Sequence, residues 1–317
     1  MRLSLSPCDT HSLFPTMDGF LNLHKSPGWT SHDCVAKVRR LVRQKKVGHG
    51  GTLDPAATGV LPIALGRATR LLQYLPGTKA YRGVIRFGLT TSTDDLEGAI
   101  LSQQTAENLS LDMVLENLNQ FKGIIDQIPP RYSAIQVEGQ RLYDLARNNQ
   151  DFTVPQRQVE VMDVGVVQWQ GGEFPELTLD IRCGAGTYIR SIARDLGAAL
   201  GVGGTLAALT RTASAGMTLA DSLDLDTLAA QLEADTFQPL APETLLHGIP
   251  VLTLTPQQGI DWGHGKRLGW ESLAEGEANP PEPGTVFRLK DSDGEFRGIG
   301  EVQVSELGTC LKPKLVF

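Results

Sequence analysis

Eleven residues from His49 to Gly59, His-Gly-Gly-Thr-Leu-Asp-Pro-Ala-Ala-Thr-Gly, carry a single carboxylate, Asp54, on a glycine-rich segment with no phosphate-binding lysine in it. A phosphate-cradling loop needs Gly-Lys followed by Ser or Thr, whereas Gly59 is followed by Val60 and Leu61, which excludes that use. An Asp before a Pro also suits a turn, or a helix N-cap with Pro55 at the first helical position. Two roles therefore compete for Asp54: acid-base or nucleophilic chemistry, and local capping.

The neighbourhood of the loop is cationic. Lys37, Arg39, Arg40, Arg43, Lys45 and Lys46 precede it without an intervening acid, and Val35, Val38, Leu41 and Val42 fall between them at helical spacing. The pattern predicts an amphipathic helix capped by Ser31, with an apolar inner face and a basic outer one; a merely solvated charged face is the bland reading. The chain as a whole is acidic, with 29 Lys and Arg against 36 Asp and Glu and a net charge of −7. Its charge is unevenly distributed. Residues 17–90 hold twelve basic residues and three acids, while residues 214–250 hold six acids and no Lys or Arg. Phosphate attraction acts over about one Debye length, roughly 8 Å at physiological salt, so the local excess matters more than the total and points to a nucleic-acid backbone.

With 317 residues, 41% of them hydrophobic, the chain can bury one large core and a smaller one. No stretch approaches the ~20 apolar residues of a membrane span. Four scattered cysteines (Cys8, Cys34, Cys183, Cys310) form no Cys-x-x-Cys and no zinc spacing, so a reduced cytoplasmic setting without metal or disulfide is expected. Residues 1–16 lack an apolar signal core and are expected to be disordered, with Met17 opening the patterned sequence.

Elements alternate in type, which predicts a mixed α/β class. A strand starts at Gly19 to Asn22; Gly59 to Leu65 is a continuous apolar strand, and Ala68 to Leu75 a helix closed by Pro76-Gly77. Tyr81, Gly83, Ile85 and Phe87 alternate on one face of a strand, as do Leu177, Leu179, Ile181 and Cys183. The latter strand ends at Gly184-Ala185-Gly186, and a helix opening at Thr187 or Tyr188 runs to about Leu200 and stops at Gly201. Tyr188 and Arg190 thus stand at a strand's end, where sites gather in sheet proteins, although each also reads as a core tyrosine and a solvated first-turn arginine.

Taken in order, these segments resemble bacterial tRNA pseudouridine-55 synthases of the TruB type. The resemblance rests on Gly19-Phe20-Leu21, Lys25-Ser26-Pro27-Gly28 with Ser31, Val47 to Gly59 with Leu61-Pro62, and Gly66-Arg67-Ala68-Thr69-Arg70. It continues through Lys79-Ala80-Tyr81, Thr91-Ser92-Thr93-Asp94 with Gly98, Pro129 to Ala134, Gly139 to Arg147, Gly184 to Ser191, and Leu209-Thr210-Arg211-Thr212.

The resemblance implies a central, largely antiparallel sheet flanked by helices, and isomerisation of one uridine in the T loop of tRNA without a cofactor or metal. The bond from uracil N1 to ribose C1′ breaks, the base turns, and C5 joins C1′. Asp54 would be the catalytic carboxylate, either attacking carbon or assisting elimination by removing a ribose proton. Tyr81 would stack on the extruded base and could transfer a proton, and Arg190 would pair with Asp54. Tyr188 and Leu209 would line the pocket, and His49 would fill the space the base leaves. Arg70 stands where the family places a basic residue, usually lysine, near phosphate. Residues 127–155, with Arg131, Arg141 and Arg147, resemble an RNA-clasping insertion; a plain surface helix with loops is the other reading. The implied division is a catalytic domain over 17–248 and a small, β-rich, PUA-like domain over 249–317, the whole acting as a monomer on the tRNA stem-loop. Within the small domain, Glu271 to Gly284 is expected to be a flexible excursion.

Two rival functions fit the same residues. A non-catalytic tRNA-folding chaperone would use the same basic surface with Asp54 as a turn residue, and a carboxylate-dependent N-glycosidase would release free uracil.

Overall fold

The computed structural model describes residues 16–133, 135–137, 140–141, 152–273, 279–306 and 308–317. The expectations for residues 1–15, for 142–151 including Arg147, and for 274–278 lie outside these. In chain order the first elements are β1 (Gly19–Lys25), α1 (Ser31–Leu41), β2 (Val47–His49), β3 (Thr58–Leu65), β4 (Lys79–Phe87), β5 (Leu89–Thr91) paired with β6 (Ile100–Gln103), α2 (Leu111–Leu118), β7 (Gly123–Gln127), β8 (Gln136–Val137) paired with β9 (Gln140–Arg141), β10 (Arg157–Gln170), β11 (Glu176–Cys183), α3 (Ile189–Ala199), β12 (Gly204–Ser214) and β13 (Met217–Thr218).

One mixed sheet runs in the order β1-β3-β12-β4-β11-β10-β7, with β2 joined to β3 and β13 to β12. Its pairings are antiparallel except where β12 meets β3, parallel over only Thr210↔Thr58 and Arg211↔Gly59. The class is therefore the expected mixed α/β with a largely antiparallel sheet.

β3 explains why a continuous apolar run was needed, because successive side chains on a strand point to opposite faces. Leu61, Ile63 and Leu65 pack with Val35 and Val38 of α1, whereas Val60 and Ala64 pack with Ile299 and Leu315 of the C-terminal sheet. Both faces are covered, and each large buried side chain contributes about 2 kcal/mol. β4 and β11 behave differently: Tyr81, Ile85, Phe87, Leu177, Leu179, Ile181 and Cys183 turn inward against Ile189, Ile192, Ala193 and Leu196 of α3. α3 lies so close to β12 that a Cβ on Gly197 would sit 2.1 Å from the Gly204 nitrogen.

The C-terminal sheet is ordered β14 (Val251–Thr253), β16 (Val286–Lys290), β17 (Phe296–Ser305), β18 (Gly308–Val316), β15 (Leu268–Gly269), around a core of Trp262, Trp270, Phe287, Leu289 and Leu311.

One local expectation is corrected and another refined. Thr30, not Ser31, caps α1: its side chain accepts from Asp33 N–H while Asp33 reaches back to the Thr30 N–H, and this reciprocal box outcompetes a lone serine. The helix expected over Ala68 to Leu75 spans Gly66–Tyr74 and winds as a 3₁₀ helix. Thr69 Oγ1 donates to the Gly66 carbonyl and Gln73 Nε2 to that of Arg70, side-chain bonds three residues back that support the tighter winding.

Candidate active site

Asp54 lies in the irregular connection between β2 and β3, not at a helix start, so capping does not account for its carboxylate. Its backbone carbonyl accepts the Ala57 N–H at 3.1 Å, closing a bend, while its carboxylate projects to Arg190, Nη2 to Oδ2 3.0 Å. The Asp54 side chain is 42% exposed and that of Arg190 only 7%, so the cation is fixed inside and the anion faces outward.

α3 supplies that fixed cation. Tyr188 is its N-cap, and the buried Gln127 amide clamps the Tyr188 backbone from both sides, accepting from N–H at 2.8 Å and donating to the carbonyl at 3.1 Å. Arg190 then donates to the Thr93 and Tyr132 carbonyls, both at 3.1 Å, and lies 3.4 Å from Asp95. Asp95 belongs to the connection between β5 and β6, where Asp94, at φ 61°, pairs with Arg194 at 2.9 Å. A planar fork with five donors in fixed directions can hold two carboxylates and two carbonyls from separate segments at once.

Tyr81 comes from the inward face of β4 and is 7% exposed. Burial pushes its phenol above the ordinary value, opposed by the charge and hydrogen bond of Arg211 and reinforced by Asp54. Burial likewise raises Tyr188, with Ser133 acting against it and Asp54 with it. Both phenols thus lie within electrostatic reach of the Asp54 carboxylate. Leu209 stands opposite Gly83 across β12 and β4 and packs on the core cluster that contains Leu53 and Tyr81.

His49 ends β2, edge-on to His32 with ring centroids 5.3 Å apart. Its Nδ1 is buried without a hydrogen-bond partner, and burial, then His32, depresses its pKa. Arg70 stands apart: it is exposed on the 3₁₀ helix and donates to the Lys314 carbonyl of β18 at 2.8 Å, bonding the C-terminal sheet and not the Asp54 loop. Arg141 is placed by backbone alone, in β9. Arg131 lies over the Phe152 ring at 4.6 Å. The root of this segment is tied to α3, since Ser191 and Arg194 both donate to the Ile128 carbonyl.

Three site-forming residues escaped the sequence reading of roles. Lys25, fully buried, donates to the carbonyls of Ser26, Trp29 and Pro55 and so pins the residue after Asp54. Asp95 braces Arg190. Arg211, fully buried, donates to Val60 at 2.6 Å, Thr52 at 3.3 Å and Gly51 at 3.1 Å, holding both arms of the loop. Ser31, displaced from its expected capping role, exchanges hydrogen bonds with the Leu53 backbone. Among the described residues no group of three or more His, Cys, Asp or Glu could hold a metal ion.

The chain matches a model for the TruB family pseudouridylate synthase N-terminal domain over residues 39–189, and one for the tRNA pseudouridylate synthase B C-terminal domain over 190–246. A protein of Acaryochloris marina named tRNA pseudouridine synthase B is 56% identical over 301 residues, covering 95% of this chain and 99% of that one. Its namesake in Trichormus variabilis is 53% identical with the same coverage, and that of Synechocystis 48%, covering 95% and 100%. Among solved structures, a Cbf5-Nop10-Gar1 complex contains a chain with a TM-score of 0.69 at 25% identity, covering 95% of this chain and 85% of that one. An H/ACA RNP bound to a substrate RNA containing 2'-deoxyuridine gives the same TM-score at 24% identity, covering 94% and 84%, a likeness of fold.

Proposed function

The chain belongs to the TruB family of pseudouridylate synthases, and from that premise we propose that it converts one uridine of the tRNA T loop, position 55, to pseudouridine, with Asp54 acting on a nucleotide swung out of its stack. The observation that carries this reading is the pairing of an outward-facing carboxylate with a buried guanidinium at 3.0 Å.

The isomerisation breaks the N1–C1′ bond, makes a C5–C1′ bond, releases the C5 proton and protonates N1. No oxidant or co-reactant is required. An anionic oxygen at the sugar serves this whether it bonds to carbon or removes a ribose proton, and Arg190 aims it. A base cannot be detached and turned while stacked, so the nucleotide leaves its loop. Tyr81 supports the uracil; its ring is nearly covered in the free protein, so part of its cover moves aside when the base enters. Tyr188 and Leu209 keep water from the cleaved sugar. His49 takes the place of the departed base, and Arg70 and the 127–155 segment with Arg131, Arg141 and Arg147 hold the RNA backbone. Residues 17–248 form the catalytic domain and 249–317 the smaller β-rich one.

Incubation with an unmodified tRNA transcript, nuclease digestion and chromatography of the nucleosides tests the reading. Pseudouridine, equal in mass to uridine but separable from it, is expected at position 55. D54N is expected to bind the tRNA and to form product about 10³-fold more slowly. Release of free uracil, or an unchanged nucleoside pattern with the wild-type chain, overturns the reading; wild-type product formation by D54N removes Asp54 from the mechanism.

A further inference from the structure

Arg211 carries a full charge into the centre of the sheet, yet among the described residues no carboxylate pairs with it. Such a burial is unfavourable unless every donor is used. Its acceptors explain the placement. β3 and β12 run parallel for only two residue pairs, where the Asp54 loop enters β3, so carbonyls on either side of this short pairing need other partners. The guanidinium satisfies those of Gly51 and Thr52 before Asp54 and of Val60 after it. The backbones are pressed together at the same point: Gly59 has φ 103°, and a Cβ there would sit 2.2 Å from the Arg211 carbonyl oxygen. Thr58 and Thr210 hydroxyls bond at 2.9 Å beside it.

A second relationship raises Arg211 above a scaffold role. Arg211 is the cross-strand partner of Tyr81 in the pairing of β12 with β4. Directly opposed side chains lie on one face within contact distance, and the Arg211 charge acts on the Tyr81 phenol. One rigid group thus touches the loop that presents Asp54 and the ring proposed to receive the base.

We infer that Arg211 is a positioning residue for the reaction, setting Tyr81 in register with the Asp54 loop. The inference rests on the pseudouridine-forming reading. Arg211 touches no substrate; it acts through Tyr81 and the loop, so its loss slows the chemical step without weakening the grip on RNA. A reacting group misplaced by about 1 Å can slow a step about 10²-fold.

R211K is the deciding variant, because a compact ammonium keeps the charge but cannot reproduce the planar fork that spreads Nε, Nη1 and Nη2 over carbonyls on both arms of the loop beside the phenol. Melting temperature, KM for tRNA and kcat are measured for the wild type, R211K, Y81F and the R211K/Y81F pair. Folding is expected to be retained, KM to stay within about threefold, and kcat to fall at least about 10-fold. In the Y81F background, R211K is expected to lower kcat by less than about threefold more, since the two residues act as a unit. The inference is overturned if kcat of R211K stays within threefold of wild type, if KM rises instead, or if the loss is equal in both backgrounds. An R211K chain that does not fold overturns it as well, making Arg211 a scaffold residue. Absence of pseudouridine with the wild-type chain is a different failure, that of the functional reading itself.

Discussion

Arg190 Nη2 lies 3.0 Å from Asp54 Oδ2, and the two ends of this pair differ sharply in exposure, 7% for the arginine and 42% for the aspartate. The arginine is also braced by Asp95, Thr93 and Tyr132, so its position does not depend on Asp54. The carboxylate is thereby oriented from behind and left open in front, where a substrate atom can approach.

R190M separates aiming from folding. It leaves Asp95 partly buried without its cation, which is expected to destabilise the chain by about 3 kcal/mol. Loss of the oriented charge is expected to lower kcat about 10²- to 10³-fold. D54N removes the opposite partner from an exposed position and should leave the urea midpoint nearly unchanged. Equal destabilisation by the two variants contradicts the asymmetry of the pair.

Gly197 gives a test in which helix propensity and packing predict opposite signs. Alanine is the better helix former by about 1 kcal/mol, so G197A in an isolated helix is stabilising. Here the added Cβ meets the Gly204 backbone at 2.1 Å, and backbone cannot swing aside. Destabilisation of about 2 kcal/mol or more is expected in urea unfolding, together with slower turnover because α3 carries Arg190. A stabilised G197A removes the close approach of α3 and β12 from the account of the site.

Much of this architecture was legible because it is periodic. The alternation in Tyr81 to Phe87 and Leu177 to Cys183 marks one buried face, and the unbroken run from Gly59 to Leu65 marks a strand covered twice. Glycine at 201, with φ 73°, fixed where α3 stops. Asp54, Tyr81, Tyr188 and Arg190 were legible only as an ordered set of motifs, since none has a local spacing that excludes a structural role. Arg211 lies within one of these motifs but carries no local sign of a role, because its partners are backbone carbonyls and a cross-strand phenol. Strand register, which no local pattern reveals, brings them to it. Asp95 was missed for the same reason, and Ser31 was misassigned because Thr30 and Asp33 compete for the same helix end.

Thr30 and Ser31 are adjacent and chemically alike, but the structure gives them different work. T30A loses the capping box of α1 at the surface and should cost about 1 kcal/mol with kcat unchanged. S31A removes the hydroxyl that bonds both backbone groups of Leu53, leaving them buried without a partner next to Asp54. Its cost is expected to be about 1–3 kcal/mol, with a measurable fall in kcat. Steady-state kinetics and urea unfolding of the two variants side by side decide the matter, and a kcat loss confined to T30A runs against it.

The buried imidazole of His49 makes stability depend on pH with a definite sign. Burial and the neighbouring His32 hold its pKa in the folded chain below the ordinary 6.5. Between the folded and unfolded values the unfolded chain binds more protons, so stability is complete above about pH 6.5 and declines as pH falls toward the folded value. H49Q removes the titrating group while keeping a polar side chain of similar reach. Acidification from pH 7.5 to 5.5 should therefore lower the urea midpoint of the wild type more than that of H49Q, the excess reflecting the imidazole that must take up a proton on unfolding. The same neutral ring, with Nδ1 unpartnered, can yield its place to another group without breaking an ion pair. Identical pH dependence in the two chains would show that His49 is not held neutral by burial, and would withdraw the reason for expecting it to move easily when the base leaves its stack.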